Sequence, residues 1–273
     1  MRMKILVIGG TGRLGRVLNV ILQKEKYTII PLGSNELDLT GKNVVDKIIR
    51  YTPDYIIHTA ALSSVDECER HPNLAYNINT YGTERVANAA LKLKVPLLYI
   101  STDYVFDGKN PPYSEDDEPN PVNVYGKSKL QGEDFVKRLS SSIILRVSWL
   151  FGPEGNDFVD FVLKADEPIS VIRSQTSKPT CTIDISYAIK NLIGNRVSGI
   201  YHFASPPSVS RLEWVESILK LNKIKKEIRE VNWDSLNVPA KRPLNSTLST
   251  NKYNKEFGEI RSWNEALREI IDG

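Results

Sequence analysis

Apolar residues recur along this chain in two alternating rhythms. Short runs rich in β-branched residues lie at Lys4 to Gly9, Tyr27 to Leu32, Asp54 to His58, Pro96 to Ile100, Ser142 to Val147 and Gly199 to Ala204. They lack polar alternation, as strands buried on both faces of a parallel sheet do. Between them come stretches with helical spacing: Leu14, Leu18, Ile21 and Leu22, then Lys42 to Tyr51, Leu74 to Leu93, a segment opening at Tyr125, and Ile183 to Ile193. Strand and helix in alternation predict an α/β chain built on a Rossmann-type, doubly wound parallel sheet. Past Val147 the rhythm loosens into a helix from Asp157 to Ala165, a short strand from Ile169 to Arg173, and helices from Arg211 to Leu221 and Ser262 to Ile271. The chain is therefore expected to leave the sheet and return. Residues 1–148 with about 182–204 form the sheet domain, and about 149–181 with 205–273 form a smaller, interleaved C-terminal domain. Asn79, mid-way along the longest helical stretch, is a poor helix former. It is either exposed and idle or holds a backbone kink, and the pattern does not choose.

The first strand runs into Gly9-Gly10-Thr11-Gly12-Arg13-Leu14-Gly15, one residue wider than the usual G-x-G-x-x-G. Strand, glycine turn and helix in that order place a pyrophosphate on a helix N-terminus, with glycines allowing the tight turn and the close approach of backbone to ligand. Gly9, Thr11, Gly12, Arg13, Leu14 and Gly15 are thus candidates for holding a dinucleotide, which makes the sheet domain the dinucleotide-binding one. The second strand ends in Gly33-Ser34-Asn35 without the acidic residue that usually meets the adenosine ribose of NAD. Ser34 with Arg13 suits a 2′-phosphate instead, which favours NADPH and leaves NADH open. Asp38 and Leu39 can flank the adenine, or Asp38 can simply cap the turn before Thr40. After the third strand, the small Ala60 and Ala61 let a ribose approach the backbone, and His58 is expected to pack at the strand end.

Composition narrows the classes. A hydrophobic share of 41% and a charged share of 25% are ordinary for a folded soluble chain. A net charge of +3, without an aromatic-basic motif, gives no reason to expect nucleic acid. Cys68 and Cys181 are far apart in sequence and the His are scattered, so neither a disulfide framework nor a metal site is expected. The N-terminal apolar run is too short for a signal peptide, and no stretch approaches the roughly 20 apolar residues of a membrane span. A cytoplasmic protein with no membrane partner is the expectation. The run Lys223 to Lys226 reads as a solvated helix end.

Candidate catalytic chemistry lies between residues 101 and 129. Thr102 closes the fourth strand, and Tyr125 and Lys129 stand four residues apart, on one face of the helix that opens there. An ammonium beside a phenol favours the phenolate, which would bring Tyr125 toward acid-base work near neutrality. Thr102 would add a hydrogen bond to the same substrate oxygen, an arrangement suited to carbonyl reduction. Trp149, just past the fifth strand, is at the sheet end where α/β folds bind ligands, although tryptophan is more often core than ligand contact.

Taken together, Gly9 to Gly15, P-D-Y-I-I-H-T-A-A, V-D-E-C-E, N-I-N-T-Y-G-T, S-T-D-Y-V-F-D-G, Y-G-K-S-K-L-Q-G-E, R-V-S-W-L-F-G, K-P-T-C-T-I-D-I and K-R-P-L-N-S resemble the extended short-chain dehydrogenase/reductases. Within that family they resemble the dTDP-4-dehydrorhamnose reductases over nearly the whole chain. The resemblance implies NADPH-dependent reduction of the C4 keto group of a nucleotide 4-keto-6-deoxy sugar. It implies Thr102, Tyr125 and Lys129 as the catalytic residues, and Val65, Tyr104, Trp149 and Arg242 as substrate contacts, Arg242 at the diphosphate. The smaller domain would then be the substrate domain. D-Y-V-F-D-G-K-N-P-P-Y-S-E-D-D also resembles the regulatory β subunit of methionine adenosyltransferase, an NADP-binding partner protein that keeps the same Tyr and Lys. A nucleotide-sugar epimerase is a further alternative; Asp103-Tyr104, in place of an Asp-Glu pair, argues against a dehydratase. A homodimer is left open.

Overall fold

The computed structural model describes residues 2–25, 27–153, 155, 157–233 and 238–272. In it the expected runs pair into one six-stranded sheet. Strands β1 (Met3–Ile8), β2 (Tyr27–Leu32), β3 (Tyr55–His58), β4 (Leu97–Thr102) and β5 (Ser142–Val147) are joined by the strand Gly199–Phe203. From one edge the order runs Gly199–Phe203, β5, β4, β3, β1, β2, with every pair parallel. The order reverses at β1, which lies between β2 and β3. Such a switch point opens a crevice outside the carboxyl ends of the strands.

Alternation along each strand feeds two cores. Ile5 and Val7 pack with Leu14, Leu18 and Leu22 of α1 (Arg13–Gln23) and with Ile185, Ile189 and Leu192 of Thr182–Gly194. Leu6 and Ile8 face the other way, toward Val44 and Ile48 of α2 (Val44–Arg50) and Val86 and Ala89 of the helix Thr83–Leu93. Helices on both faces explain why the strand runs carry no polar alternation. A third core gathers Phe151, Val162, Ile169, Trp214, Val215, Ile218, Trp263 and Leu267. It lies on segments after β5 and after the returning strand. The helix Asn251–Phe257, by contrast, sends Tyr253 into the core of the main sheet.

Several elements depart from the sequence pattern for identifiable reasons. The helix expected over 74–93 is three pieces: Pro72–Ala75, a π-helical turn Tyr76–Gly82, and Thr83–Leu93. Asn79 sits in that wide turn, 1% exposed, so it is anything but idle. Its Oδ1 accepts from Leu62 N at 2.8 Å, and its Nδ2 donates to Leu62 O and Ser128 Oγ, both at 3.1 Å. A further helix, α3 (Val65–Arg70), is started by the Ser64 side chain, which accepts from Glu67 N. The lysine run is not a solvated helix end throughout. Lys226 Nζ donates to Val162 O, Leu163 O and Ala165 O at 3.3, 2.7 and 2.6 Å, capping the carbonyl end of the helix Phe158–Lys164.

Candidate active site

A cavity of about 570 Å³ opens at the carboxyl ends of β1, β3, β4 and β5, where the sheet order reverses. Its floor begins with the glycine turn. Gly9 adopts φ 85°, and a Cβ there would fall 2.5 Å from Ala60 N; one on Gly15 would fall 2.2 Å from Gly9 O. No side chain could be added at either position without displacing backbone. Gly12 is the N-cap of α1, supplies no side-chain cap, and is followed by no acidic residue in the first turn. The helix thus presents backbone N–H groups and the positive end of its dipole to whatever occupies the cavity. A bare, uncapped cradle of this kind fits the pyrophosphate of a dinucleotide.

The cavity lining brings together Gly9, Thr11, Gly12, Arg13, Leu14, Gly15, Ser34, Ala60 and Ala61 with Val65, Thr102, Tyr104, Tyr125, Lys129 and Trp149. Three expected residues lie outside that lining. Asp38 is exposed and turned onto Thr40, whose N and Oγ1 both donate to Oδ1 at 2.8 Å; these bonds hold its carboxyl below the usual range. Leu39 is buried among Leu6, Ile8 and Leu32. Arg242 is tied to Asp66 at 2.6 Å and to Ala240 O at 2.9 Å. A carboxylate also returns to the end of β2 from further along the chain: Glu36 Oε2 accepts from Gly33 N at 2.8 Å.

Thr102 ends β4 with its hydroxyl in the cavity, donating to Asp103 Oδ1 and accepting from Tyr104 N, both at 3.1 Å. Tyr125 enters from α4 (Val124–Val136), which Asn123 caps by accepting from Gly126 N at 2.8 Å. One turn on, Lys129 is 2% exposed, donates to Ile100 O at 2.6 Å, and lies 4.0 Å from the centroid of the Tyr99 ring. Burial brings the Lys129 ammonium down to about 7, partly opposed by the charge of Glu133. The expected phenolate-favouring pair is not what forms. Burial, reinforced by Asp103, pushes the Tyr125 phenol up, against a hydrogen bond to Thr102 that pulls it down. With its ammonium on a backbone carbonyl, Lys129 leaves Tyr125 a protonated donor, the form a general acid requires.

Sequence reasoning passed over Asp103 as a site residue, yet it lines the cavity at 2% exposure. Ser177 Oγ and Ser246 Oγ donate to its Oδ2 at 3.0 and 2.5 Å. Burial nevertheless raises its carboxyl to about 6. Its position directly after Thr102 was the available signal, but the serines that fix it arrive from 74 and 143 residues away.

This geometry has close counterparts. The chain is 38% identical to the dTDP-4-dehydrorhamnose reductase of Aggregatibacter actinomycetemcomitans over 98% of each sequence. It also matches a crystal structure of dTDP-4-dehydrorhamnose reductase from Bacillus anthracis in complex with NADP, with TM-score 0.95 and 35% identity over 100% of this chain and 99% of that one. Methionine adenosyltransferase 2 subunit beta of Danio rerio is 33% identical over 77% of this chain and 71% of its own. With the model of the RmlD substrate binding domain matching residues 3–273, the chain belongs to that family.

Proposed function

We propose that this chain is an NADP-dependent oxidoreductase that reduces the C4 keto group of a nucleotide 4-keto-6-deoxy sugar, dTDP-4-dehydro-L-rhamnose to dTDP-L-rhamnose. The observation that carries the reading is the meeting, in one cavity, of a bare glycine cradle with Thr102, Tyr125 and Lys129. NADPH, when bound, supplies the hydride. The α1 N-terminus receives the pyrophosphate, Arg13 and Ser34 the 2′-phosphate, and Ala60 and Ala61 the ribose side. Tyr125 gives its proton to the oxygen that gains charge at C4, and Thr102 holds that oxygen by a hydrogen bond. Lys129, buried in the cavity wall, meets the nicotinamide ribose. Val65, Tyr104 and Trp149 surround the sugar. Arg242 reaches the diphosphate only by sharing or leaving Asp66.

The two-part division belongs to the same proposal: residues 1–148 with about 182–204 bind the cofactor, and the remainder roofs the sugar. So does a cytoplasmic location, since Cys68 and Cys181 are buried free thiols, as a reducing compartment keeps them. No described helix is long and apolar enough to cross a membrane. The likeness to the Danio rerio subunit favours a second reading, an NADP-binding regulatory partner of a methionine adenosyltransferase. One experiment separates them: NADPH oxidation by the purified chain alone, with dTDP-4-dehydro-L-rhamnose supplied. Turnover supports the reductase. Tight NADPH binding without turnover, together with co-purification of a methionine adenosyltransferase, supports the regulatory reading.

A further inference from the structure

One wall of the cavity is held by a hydrogen-bonded chain whose direction is set by donor chemistry. Gln175, 4% exposed, directly precedes the short strand Thr176–Ser177. Its Nε2 donates to the Tyr104 hydroxyl at 2.8 Å, and its Oε1 accepts from Arg211 at 3.4 Å. A guanidinium has donors and no acceptor, so the amide oxygen must face Arg211 and the amide NH2 must face Tyr104. The Tyr104 oxygen therefore accepts from Gln175, and its own proton is not used there. That phenol lines the cavity, with its ring edge-on to Tyr125 at a centroid distance of 6.1 Å.

Arg211, the first residue of the helix Arg211–Leu221, anchors the far end of the chain. Its backbone N donates to Gln175 O at 2.8 Å, and its guanidinium lies 3.5 Å from the centroid of the Trp149 ring and 4.4 Å from that of Phe158. Trp149 itself sits at φ 39°, a backbone region that is costly for an aromatic residue and persists only where the surroundings fix it. Arg211 thus braces both aromatic walls at once, Trp149 by stacking and Tyr104 through Gln175. A cation at one end of a hydrogen-bond chain polarises the bonds that follow and strengthens the terminal donor.

We propose that Gln175 and Arg211 are positioning residues for the substrate, committing the Tyr104 hydroxyl to donate into the cavity so that this wall selects an oxygen acceptor of the nucleotide sugar. The inference rests on the reductase reading above. A group that can only donate would meet a donor there and be rejected.

The decisive variant is Gln175→Glu. A carboxylate held by Arg211 accepts the Tyr104 proton and turns it away from the cavity. KM for dTDP-4-dehydro-L-rhamnose should rise about tenfold, the scale of one hydrogen bond, with a smaller change in kcat and an unchanged NADPH Kd. In a Tyr104→Phe background the same substitution should raise KM no further, because no hydroxyl remains to be oriented. Should Gln175→Glu fail to fold, Gln175→Met, which is uncharged and of similar length, carries the same pair of expectations at about threefold. An unchanged KM, or an equal rise with and without the Tyr104 hydroxyl, overturns the inference while leaving the reductase reading intact. Absence of turnover in the unmodified chain removes both together.

Discussion

In the proposed reaction Tyr125 is the residue on which the chemistry turns, and its environment fixes what a substitution there does. Burial keeps the phenol protonated, against a lowering pull from the Thr102 hydroxyl. Tyr125→Phe removes the donor and keeps the ring, so folding and NADPH binding should be preserved while kcat falls by roughly 10² or more, the scale of general acid catalysis. Undiminished turnover of the variant would remove Tyr125 from this role. That Thr102, Tyr125 and Lys129 meet in one cavity was legible because they follow local geometry: four residues on a helix for Tyr125 and Lys129, a strand end for Thr102. The state of Tyr125 was not legible. It depends on desolvation and on where the Lys129 ammonium goes, and Ile100 O, which receives it, is 29 residues away. Arg242 illustrates the same limit, since its pairing with Asp66 spans 176 residues. Gln175 and Arg211 carry no motif at all, and only the fold brings them against Tyr104 and Trp149.

At the scale of elements, the π-helical turn Tyr76–Gly82 does the most to shape the site. One extra residue in the turn lets Asn79 point inward and bridge the segment after β3, at Leu62, to α4, at Ser128. Ser128 precedes Lys129, so the bridge ties the segment after β3 to the helix that carries Tyr125 and Lys129. Such turns often mark functional sites in helices. Asn79→Ala would leave the Leu62 N–H without its partner, and the Leu62 C=O with the Cys68 thiol alone, in a part-buried place, costing about 1–3 kcal/mol. Chemical denaturation should show that loss, with a lower kcat from a less ordered Lys129; a variant within about 0.5 kcal/mol of the parent would show the bridge to be incidental. Strands were read within a residue or two because burial on both faces leaves an unbroken apolar run. The π turn was not, because apolar spacing sees an average helix and cannot register one inserted residue. The helix Val65–Arg70 was missed for another reason: it is six residues long, too short for a period, and rests on the cap from Ser64.

For the whole molecule, the buried titrating groups dictate how stability follows pH. His58 and His202, both fully buried, are brought down to about 3, first by burial and then by the nearby charges of Lys129 and Arg146 respectively. Between about 3 and 6.5 the unfolded chain therefore binds more protons at these positions than the folded one, so their contribution is lost as pH falls through that window. Asp103, raised to about 6, acts in the opposite sense between its ordinary value and 6, because there the folded state holds the extra proton. Lys129 at about 7 again binds fewer protons folded than unfolded, up to the ordinary lysine value near 10.4. Its contribution grows by about 1.4 kcal/mol per pH unit above 7. The cofactor-free protein should accordingly gain stability from pH 7 to 9, less steeply near 9, where Cys68 and Cys181, raised by burial to about 11, begin to act in the opposite sense. Denaturant midpoints measured without nucleotide, which would add its own binding free energy, test this directly. In Lys129→Met the rise between pH 7 and 9 should flatten and stability at pH 7 should increase, even as activity is lost. If the variant rises as steeply as the parent, the ammonium is compensated in the folded state. The lysine proposed for catalysis would then impose no cost in stability before NADPH binds.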